Sequence, residues 1–538
     1  MRAQTSLSCD VLVIGGGATG AGVLFDLAQR GLRAILTEQN DVATGTSGRY
    51  HGLLHSGGRY AVRDPESARE CIEENWIVRR IAPHTIEDTG GWFAAFPPDD
   101  PSYIPLWLAG CKAVGIPTEP LSIAQALREE PHLNPGAYAI YRVPDAACDS
   151  FELIHTLIEA AAALGAITLN YHRVCAIEKA GGKVIGALLE NRRTGALVRV
   201  HADAIVNAAG PWAGEVAKLA GADIRMTHDR GVMVAMNVRW VNTIINRLAP
   251  PGDGDILVPV GTVCVIGTTS VVVERPDDLD IPAAEVTQML DAGEIMIPEF
   301  RKARALRAWA GVRPLYDPPQ KREGEADGGE DGRYITRSFR TLSHADVGAA
   351  GMLSIVGGKL TTYRRMAEQI CDEVCAYLKV QAPCRTAETP LPKPTWLGGG
   401  RGKLHVLSHR LHQLEHAPRH DNLICECEIV TRDQLEAAIR ASGEGVSLDD
   451  LRRDLRLGMG PCQAGFCGYR AAGVLSEVAH LSPERAIQAL AAFIGERFRG
   501  NRPLLWGHQL RQALLDEMIY RRSLGVPALQ AQVQAAAS

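Results

Sequence analysis

Four cysteines in the C-terminal part of the chain have the spacing of a metal site. One residue separates Cys425 from Cys427, four separate Cys462 from Cys467, and 34 lie between the two pairs. Four thiolates suit zinc or an iron–sulfur cluster. Zinc ribbons usually use Cys-x-x-Cys knuckles, and the tight Cys-x-Cys pair is less usual there. The intervening sequence predicts two short helices with N-caps at Thr431 and Ser447.

A second chemical pattern, Gly15-x-Gly17-x-x-Gly20, stands between a short apolar strand at residues 10–14 and a predicted helix at residues 18–30. The glycines permit a tight turn and a close approach to a pyrophosphate, and the helix N-terminus favours the negative charge. Glu38 ends the next predicted strand and could accept hydrogen bonds from a ribose. This βαβ unit predicts a dinucleotide site, but FAD and NAD share the fingerprint.

Two further segments of small residues favour FAD over NAD. Residues 44–60, which include Thr46 and Ser47, follow the acidic residue at the place where phosphates and a flavin ring would lie. The loop of residues 357–362 follows a late strand at residues 352–356 and could present backbone amides to the pyrimidine edge of the ring.

Four motifs carry a more specific resemblance: HSGGRYAV (55–62), NAAGPWA (207–213), AGVRPLY (310–316) and GGKLTTYR (357–364). Together they resemble the FAD-dependent glycerol-3-phosphate dehydrogenase family, within the broader glycine and D-amino-acid oxidase fold, from about residue 8 to residue 380. The resemblance implies oxidation of sn-glycerol 3-phosphate to dihydroxyacetone phosphate. The residues then expected to bind the cofactor are Gly15, Gly17, Ala18, Thr19, Gly20, Glu38, Thr46, Ser47, His51, Gly52, Leu53, Val174, Ala208, Ala209, Gly210, Trp212, Gly357, Gly358, Lys359, Leu360, Thr361 and Thr362.

The same resemblance assigns the substrate site. A phosphate monoester dianion asks for several cations, and arginine forks match its geometry best. The residues implied to hold the phosphate are Arg59, Tyr60, Arg313, Arg337 and Lys359. His55 is the candidate base, and Arg59 and Arg313 would act beside it during the hydride transfer. Some relatives have a second histidine in the sheet domain where this chain has Met233, so a mechanism with that second histidine is not expected.

The cysteine segments ICEC and GMGPCQAGFC resemble the bacterioferritin-associated-ferredoxin-like [2Fe–2S] domain. A flavin dehydrogenase and this domain on one chain narrow the resemblance to the anaerobic, A-subunit branch of the family. The partners implied are a flavin-containing B subunit together with a membrane-anchoring iron–sulfur C subunit, with quinone as the final acceptor. The other nine cysteines, including Cys371 and Cys375, are expected to pack in cores.

Composition limits the class of protein. The chain has 538 residues, 46% of them hydrophobic, and a formal net charge of −5. A chain of this length should hold several folded units, and the mixed charge argues against nucleic acid as a partner. Because the chain has no signal-peptide core and no apolar run long enough to span a bilayer, we expect a cytoplasmic protein. Partner subunits would hold it at the inner face of the cell membrane.

The predicted fold is α/β, with a Rossmann-like FAD-binding domain interleaved with an antiparallel-sheet substrate domain. The exposed loop at residues 321–332 carries no predicted chemistry. The expected divisions are FAD-binding domain at 1–95, 149–222 and 345–385, substrate domain at 96–148 and 223–344, linker at 386–420, four-cysteine domain at 421–475, and helical C-terminal region at 476–538.

Two alternative functions stay open at this point. One is a flavin-dependent amine, opine or amino-acid dehydrogenase, since related flavoproteins carry the same cysteine module. Its carboxylate substrate would need only one arginine fork, so the number of cations in the pocket separates it from a glycerol-3-phosphate dehydrogenase. The other is a non-catalytic scaffold that binds flavin or zinc, which reduction of bound flavin by glycerol 3-phosphate would exclude.

Overall fold

The computed structural model describes residues 5–316, 332–392, 411–416 without 413, and 422–526 without 444. Most of the charged loop, most of the linker and the end of the C-terminal tail therefore lie outside the described residues. The strands are β1 (Thr5–Ile14), β2 (Ala34–Thr37), β3 (Leu53–Leu54), β4 (Ile86–Glu87), β5 (Gly91–Ala95), β6 (Glu119–Pro120), β7 (Ala139–Val143), β8 (Ala146–Cys148), β9 (Ile167–Leu169), β10 (His172–Ala180), β11 (Lys183–Asn191), β12 (Leu197–Asn207), β13 (Met226–Met236), β14 (Ile244–Arg247), β15 (Ile256–Val260), β16 (Val263–Gly267), β17 (Val271–Val273), β18 (Ala305–Tyr316), β19 (Phe339–Ser343), β20 (Met352–Gly357), β21 (Leu423–Cys425) and β22 (Val430–Thr431).

Helices occur both in the part of the chain that contains the two large sheets and in the C-terminal part. They are α1 (Ala18–Gln29), α2 (Pro65–Ile81), α3 (Tyr103–Val114), α4 (Ile123–Glu129), α5 (Ser150–Ala163), α6 (Ala213–Lys218), α7 (Ala283–Met296), α8 (Tyr363–Leu378), α9 (Arg432–Ser442), α10 (Leu448–Leu455), α11 (Gly468–Val478), α12 (Pro483–Phe498) and α13 (Gly507–Glu517). Among the described residues, no helix has both the length and the apolar character needed to cross a bilayer.

The first sheet places the glycine-rich turn. Its strand order is β10-β11-β12-β1-β2-β9, with β20 beside β12 and β19 beside β20. Strands β12, β1, β2 and β9 are parallel neighbours, and β20 also runs parallel to β12. Residues 11–14 of β1 are all apolar because both faces are buried: Val11 and Val13 pack in the core with α1, α5 and α8, and Leu12 and Ile14 pack in the core on the other side. The carboxyl ends of these strands form the edge at which a dinucleotide binds in such folds.

The second sheet faces this edge and carries Arg313 on β18. Its order is β17-β13-β16-β15-β14-β5-β7-β6, and β18 runs antiparallel to the whole of β13, from Met226 opposite Tyr316 to Met236 opposite Ala305. All its pairings are antiparallel except that of β5 with β14. The α/β class with an antiparallel second sheet is confirmed, while the predicted domain boundaries stay predictions.

The C-terminal part has its own core, built around Leu435, Leu451, Leu475 and Phe493. Thr431 and Ser447 each form a capping box at the start of α9 and α10, which confirms both predicted N-caps. Buried ion pairs join this part to the rest of the chain. Arg453 is buried and pairs with Asp41 at 2.9 Å, which places α10 against the loop that follows β2.

Candidate functional site

The glycine-rich turn after β1 tolerates no side chain at two of its positions. Gly15 has a φ of +114°, and a Cβ there would lie 2.6 Å from the backbone oxygen of Ala208. A Cβ on Gly20 would lie 1.9 Å from the backbone oxygen of Gly15. The turn therefore packs backbone against backbone, which leaves the space in front of it open for a ligand.

Glu38 and Ser47 hold the turn in place. The Glu38 carboxylate accepts hydrogen bonds from the backbone N–H groups of Gly16 at 2.8 Å and Asn40 at 2.9 Å. Burial raises the pKa of Glu38, although these N–H groups oppose the shift. Ser47 Oγ accepts a hydrogen bond from the Ala18 N–H at 3.0 Å, so this residue caps α1 from another segment of the chain.

One cavity of about 1050 Å³ runs from the glycine-rich turn to the second sheet. Its lining includes every predicted substrate residue, His55, and all but four of the predicted cofactor residues. The four that do not line it are Gly20, Gly52, Thr361 and Thr362. Gly20 packs against the turn, and Thr361 Oγ1 accepts the His55 N–H at 3.1 Å. The Thr362 hydroxyl accepts the Lys359 N–H at 3.2 Å. These two threonines therefore orient lining residues without facing the cavity.

Two of the predicted phosphate-binding arginines are already paired with carboxylates. Arg59 forms an ion pair with Asp255 and donates to the Gly252 carbonyl at 3.1 Å. Arg313 donates from Nη1 to Asp229 at 2.8 Å. Sequence reasoning missed both aspartates, because nothing in their local sequence distinguishes them from surface acids. Their presence reduces the positive charge that the two arginines offer a ligand.

Arg337 and Lys359 complete the cation cluster, and Arg337 Nη2 lies 3.8 Å from the same Asp229 carboxylate that Arg313 contacts. The Arg337 Nη1 is buried and has no hydrogen-bond partner among the described residues. Burial lowers the pKa of this guanidinium, with Arg313 adding repulsion. Lys359 Nζ donates to the Arg337 carbonyl at 2.9 Å, lies 3.3 Å from Glu70, and sits 5.5 Å from the centre of the Tyr60 ring. A buried guanidinium N–H without a partner is a group that an anion would satisfy.

His55 stands next to this cation cluster and has a second histidine for a neighbour. Its ring centroid lies 5.6 Å from that of Tyr60 and 5.9 Å from that of His51. Burial is the main cause that lowers the pKa of His55 well below its usual range, and the charges of His51, Arg59 and Lys359 add to it. Burial likewise lowers the pKa of His51 to about 3. Both rings are therefore neutral near pH 7, and a neutral imidazole can accept a proton.

The pairing of His51 with His55 is a feature that the sequence did not reveal. The sequence assigns His51 only a contact with the cofactor. Met233, at the position where some relatives have histidine, lines the same cavity, and a Cβ on the facing Gly267 would lie 2.8 Å from its side chain. His51 and His55 are four residues apart, and β3 lies between them, so both reach the cavity. This spacing is the sequence signal from which their pairing could have been predicted.

The four cysteines come together at one end of α11. Cys425 neighbours Cys467, Cys467 neighbours Cys462, and Cys462 neighbours Cys427. A Cβ on Gly460 would lie 2.3 Å from the Cys427 Cβ, so glycine is required for this turn. The backbone N–H groups of Ala464 and Phe466 lie near the Cys462 thiol. Four thiolates with nearby backbone N–H groups are the donor set that an iron–sulfur cluster uses.

Of the other nine cysteines, seven are buried, as expected for packing residues. Cys175 and Cys384 are half-buried instead. Cys175 lies on β10, which is the edge strand of the first sheet in the described part of the chain.

Comparison with known proteins agrees with this architecture. Residues 10–364 match the family of FAD-dependent oxidoreductases, and residues 423–477 match the BFD-like [2Fe–2S] binding domain. The glycerol-3-phosphate dehydrogenase from Bacillus halodurans, solved with FAD, has a TM-score of 0.61 at 22% identity, over 93% of this chain and 96% of that one. Glycine oxidase from Geobacillus kaustophilus has a TM-score of 0.55 at 20% identity, over 72% of this chain and 99% of that one.

The fold and the two sites thus define an FAD-dependent oxidoreductase with a C-terminal [2Fe–2S] binding domain, which confirms both predicted cofactors and favours the cluster over zinc. The A1 subunit of the anaerobic glycerol-3-phosphate dehydrogenase of Haloferax volcanii is 41% identical over 96% of this chain and 91% of its own length. The corresponding A subunit of Escherichia coli K12 is 40% identical over 98% of both chains. The chain belongs to the A-subunit family of the anaerobic glycerol-3-phosphate dehydrogenases.

Proposed function

We propose that this protein oxidises sn-glycerol 3-phosphate to dihydroxyacetone phosphate and passes the electrons on through its [2Fe–2S] domain. The observation that carries the proposal is a chain of contacts along one wall of the cavity. His55 contacts the Tyr60 ring, Tyr60 lies under the Lys359 ammonium, and Lys359 donates to the backbone of Arg337. A proton acceptor and a cluster of cations thus line the same cavity as the dinucleotide turn.

The charges in this cavity fit a phosphate ester better than a carboxylate. Arg59, Arg313, Arg337 and Lys359 contribute four cations, whereas one arginine fork would satisfy a carboxylate substrate. Three carboxylates, Asp229, Asp255 and Glu70, contact this set and leave a small positive excess. The terminal oxygens of a phosphate monoester can accept hydrogen bonds from several of these cations at once. This favours glycerol 3-phosphate over the amine or amino-acid substrates of the alternative function.

The residues of this chain would bind, orient and deprotonate the substrate. Arg337 and Lys359 would hold the phosphate, with Arg59, Arg313 and Tyr60 completing the pocket. When bound, FAD supplies the acceptor for the hydride that leaves the carbinol carbon. His55 would take the hydroxyl proton, because it is neutral near pH 7 and faces the cavity. The bound dianion would offset the repulsion of Arg59 and Lys359 on protonated His55 and so strengthen it as a base.

The remaining residues of the cavity would bind the cofactor. The residues proposed to bind the phosphates and ribose of FAD surround Gly15 and Glu38. The residues proposed to bind its ring follow β20. Cys425, Cys427, Cys462 and Cys467 would ligate the cluster. A flavin receives two electrons together, whereas a [2Fe–2S] centre passes one at a time. The flavin and the cluster together would therefore deliver the two electrons to a partner one by one.

The partners proposed are a flavin-containing B subunit together with a membrane-anchoring iron–sulfur C subunit that delivers electrons to quinone. The relatives are named as A-type subunits of their enzymes, which supports an assembly of several chains. On this proposal the protein works at the inner face of the cell membrane and is held there by its partners.

A visible spectrum of the purified protein, recorded without oxygen, tests the proposed reaction. We expect a flavin spectrum with added cluster absorbance, and bleaching of both when glycerol 3-phosphate is added. Bleaching by amino acids and not by glycerol 3-phosphate would support the alternative function instead. A flavin that no substrate of either class reduces would contradict both.

A further inference from the structure

The helix α13 carries an apolar stripe on its outer surface. Trp506, Leu510, Leu514 and Met518 recur every fourth residue from the residue before α13 to the residue after it. Successive members are rotated by only about 40° around a helix, so their side chains form one row. Their exposed fractions are 43%, 39%, 51% and 63%, and the adjacent Leu515 is 45% exposed. Charged residues flank the row: Arg511 is exposed beside it, and Glu517 forms an ion pair with Arg521.

On the opposite side, α13 and the turn that follows it pack on the loop between Cys462 and Cys467. Tyr520 is buried and donates from its hydroxyl to the carbonyls of Ala464 at 2.8 Å and Gly465 at 3.1 Å. A Cβ on Gly465 would lie 2.5 Å from the Asp516 carboxylate. The segment that carries the stripe thus packs directly on the turn between Cys462 and Cys467. One helix diameter, about 10–12 Å, separates the stripe from that turn.

The start of α13 is also fixed to the second sheet. Gln509 is buried, donates to the Leu306 carbonyl at 3.2 Å and accepts from Arg304 at 3.0 Å. Arg304 in turn donates to the Pro461 carbonyl, next to Cys462, at 2.6 Å. The helix is therefore a rigid element between β18 and the cysteine loop, and its outer row of apolar side chains is presented in a fixed geometry.

We propose that this stripe is the docking surface for the protein subunit that accepts single electrons from the cluster, an inference that rests on the proposed function. Contiguous exposed apolar surface marks an interaction site in soluble proteins. The stripe belongs to the element that supports the loop between Cys462 and Cys467, and two of the four cysteines, Cys462 and Cys427, are half-buried and not fully buried. The partner is an electron-accepting protein with an apolar docking face, because the segment that carries the stripe packs on the loop between Cys462 and Cys467.

A lipid surface and a second copy of the chain are the competing occupants. In a helix that lies on a bilayer, the face opposite the apolar row is charged and in water. In α13 that face is buried against this chain through Gln509, Ala513 and Asp516. A second copy would bring two clusters together but would not provide an acceptor for the electrons.

The test compares Leu514→Glu/Met518→Glu with Ile185→Glu/Leu197→Glu, which adds the same charge to exposed residues of β11 and β12. Each full-length chain is co-expressed with the tagged flavoprotein and iron–sulfur subunits of its own operon or genome. We expect the stripe variant to be recovered with them at less than one tenth of the wild-type yield, and the control at the wild-type yield. Flavin and cluster absorbance and flavin reduction by glycerol 3-phosphate should be unchanged in both variants.

Three results would overturn the inference. Equal recovery of the stripe variant would remove the stripe from the interface. Intact recovery with lost flotation on anionic phospholipid vesicles would assign the stripe to a lipid surface. A wild-type dimer that the stripe substitutions convert to a monomer would assign it to self-association. If glycerol 3-phosphate fails to reduce the wild-type flavin, the proposed reaction is wrong, and the recovery assay still decides the docking surface.

Discussion

Arg313 donates from Nη1 to Asp229 at 2.8 Å, and Asp229 has no exposed surface. The arginine that the sequence assigns to substrate binding therefore also neutralises a buried carboxylate. A second bond from Nη2 to the Thr269 carbonyl at 3.0 Å, and the absence of a side chain on Gly231, fix the position of the guanidinium. Binding and stability are coupled in this residue.

We expect Arg313→Ala to destabilise the protein as well as weaken binding. Without Arg313, the buried Asp229 keeps a hydrogen bond from Ser270 at 2.8 Å and has Arg337 only at 3.8 Å, so we expect a loss of about 1–3 kcal/mol. Arg313→Ala/Asp229→Asn removes both charges and should recover much of the lost stability but not the affinity for glycerol 3-phosphate. Thermal unfolding and titration of the bound flavin with substrate measure the two effects. A double variant no more stable than Arg313→Ala would show that the pair does not account for the loss.

Arg337 gives the cleaner test of phosphate binding, because its buried Nη1 has no partner among the described residues. We expect Arg337→Ala to raise the apparent dissociation constant of glycerol 3-phosphate at least tenfold while the spectrum of bound FAD stays the same. Arg365→Ala, which removes a surface ion pair with Glu73, is the matched control. Unchanged substrate affinity in Arg337→Ala would exclude this residue from the phosphate site.

The sequence predicted the elements around the cofactor well because each carries a local signal. The apolar residues of β1, the glycines after it and the capping residues Thr431 and Ser447 each act on residues only a few positions away in the sequence. The predicted cations also gather in one cavity: Arg59, Arg313 and Lys359 lie in the quoted motifs, and Arg337 lies two residues before β19.

What the sequence could not predict is which charges meet. Asp229 and Arg313 are 84 residues apart and lie opposite each other only because β13 and β18 pair in one particular register. Asp255 reaches Arg59 from the residue just before β15 of the same sheet. Such contacts depend on the three-dimensional register of strands, so residue type and spacing predicted the cations but not their neutralisation.

His55→Gln tests the proposed base. Glutamine keeps a polar side chain of similar size but cannot accept a proton near pH 7. We therefore expect flavin reduction by glycerol 3-phosphate to slow by at least 100-fold, within the range that a general base contributes, with substrate affinity nearly unchanged. Stopped-flow absorbance without oxygen measures the rate, and His201→Gln, at an exposed position, is the control. A wild-type rate in His55→Gln would end the candidacy of this residue.

The depressed pKa of His51 predicts a pH dependence of stability. The folded protein keeps this ring neutral down to about pH 3, whereas the unfolded chain takes up a proton near pH 6.5. Stability from this site is therefore full above pH 6.5 and is lost as the pH falls toward 3, by at most about 1.4 kcal/mol per pH unit. We expect His51→Gln, saturated with FAD, to gain thermal stability relative to wild type as the pH falls from 7.5 to 5. Parallel melting-temperature curves for the two proteins would show that the cavity does not hold His51 neutral.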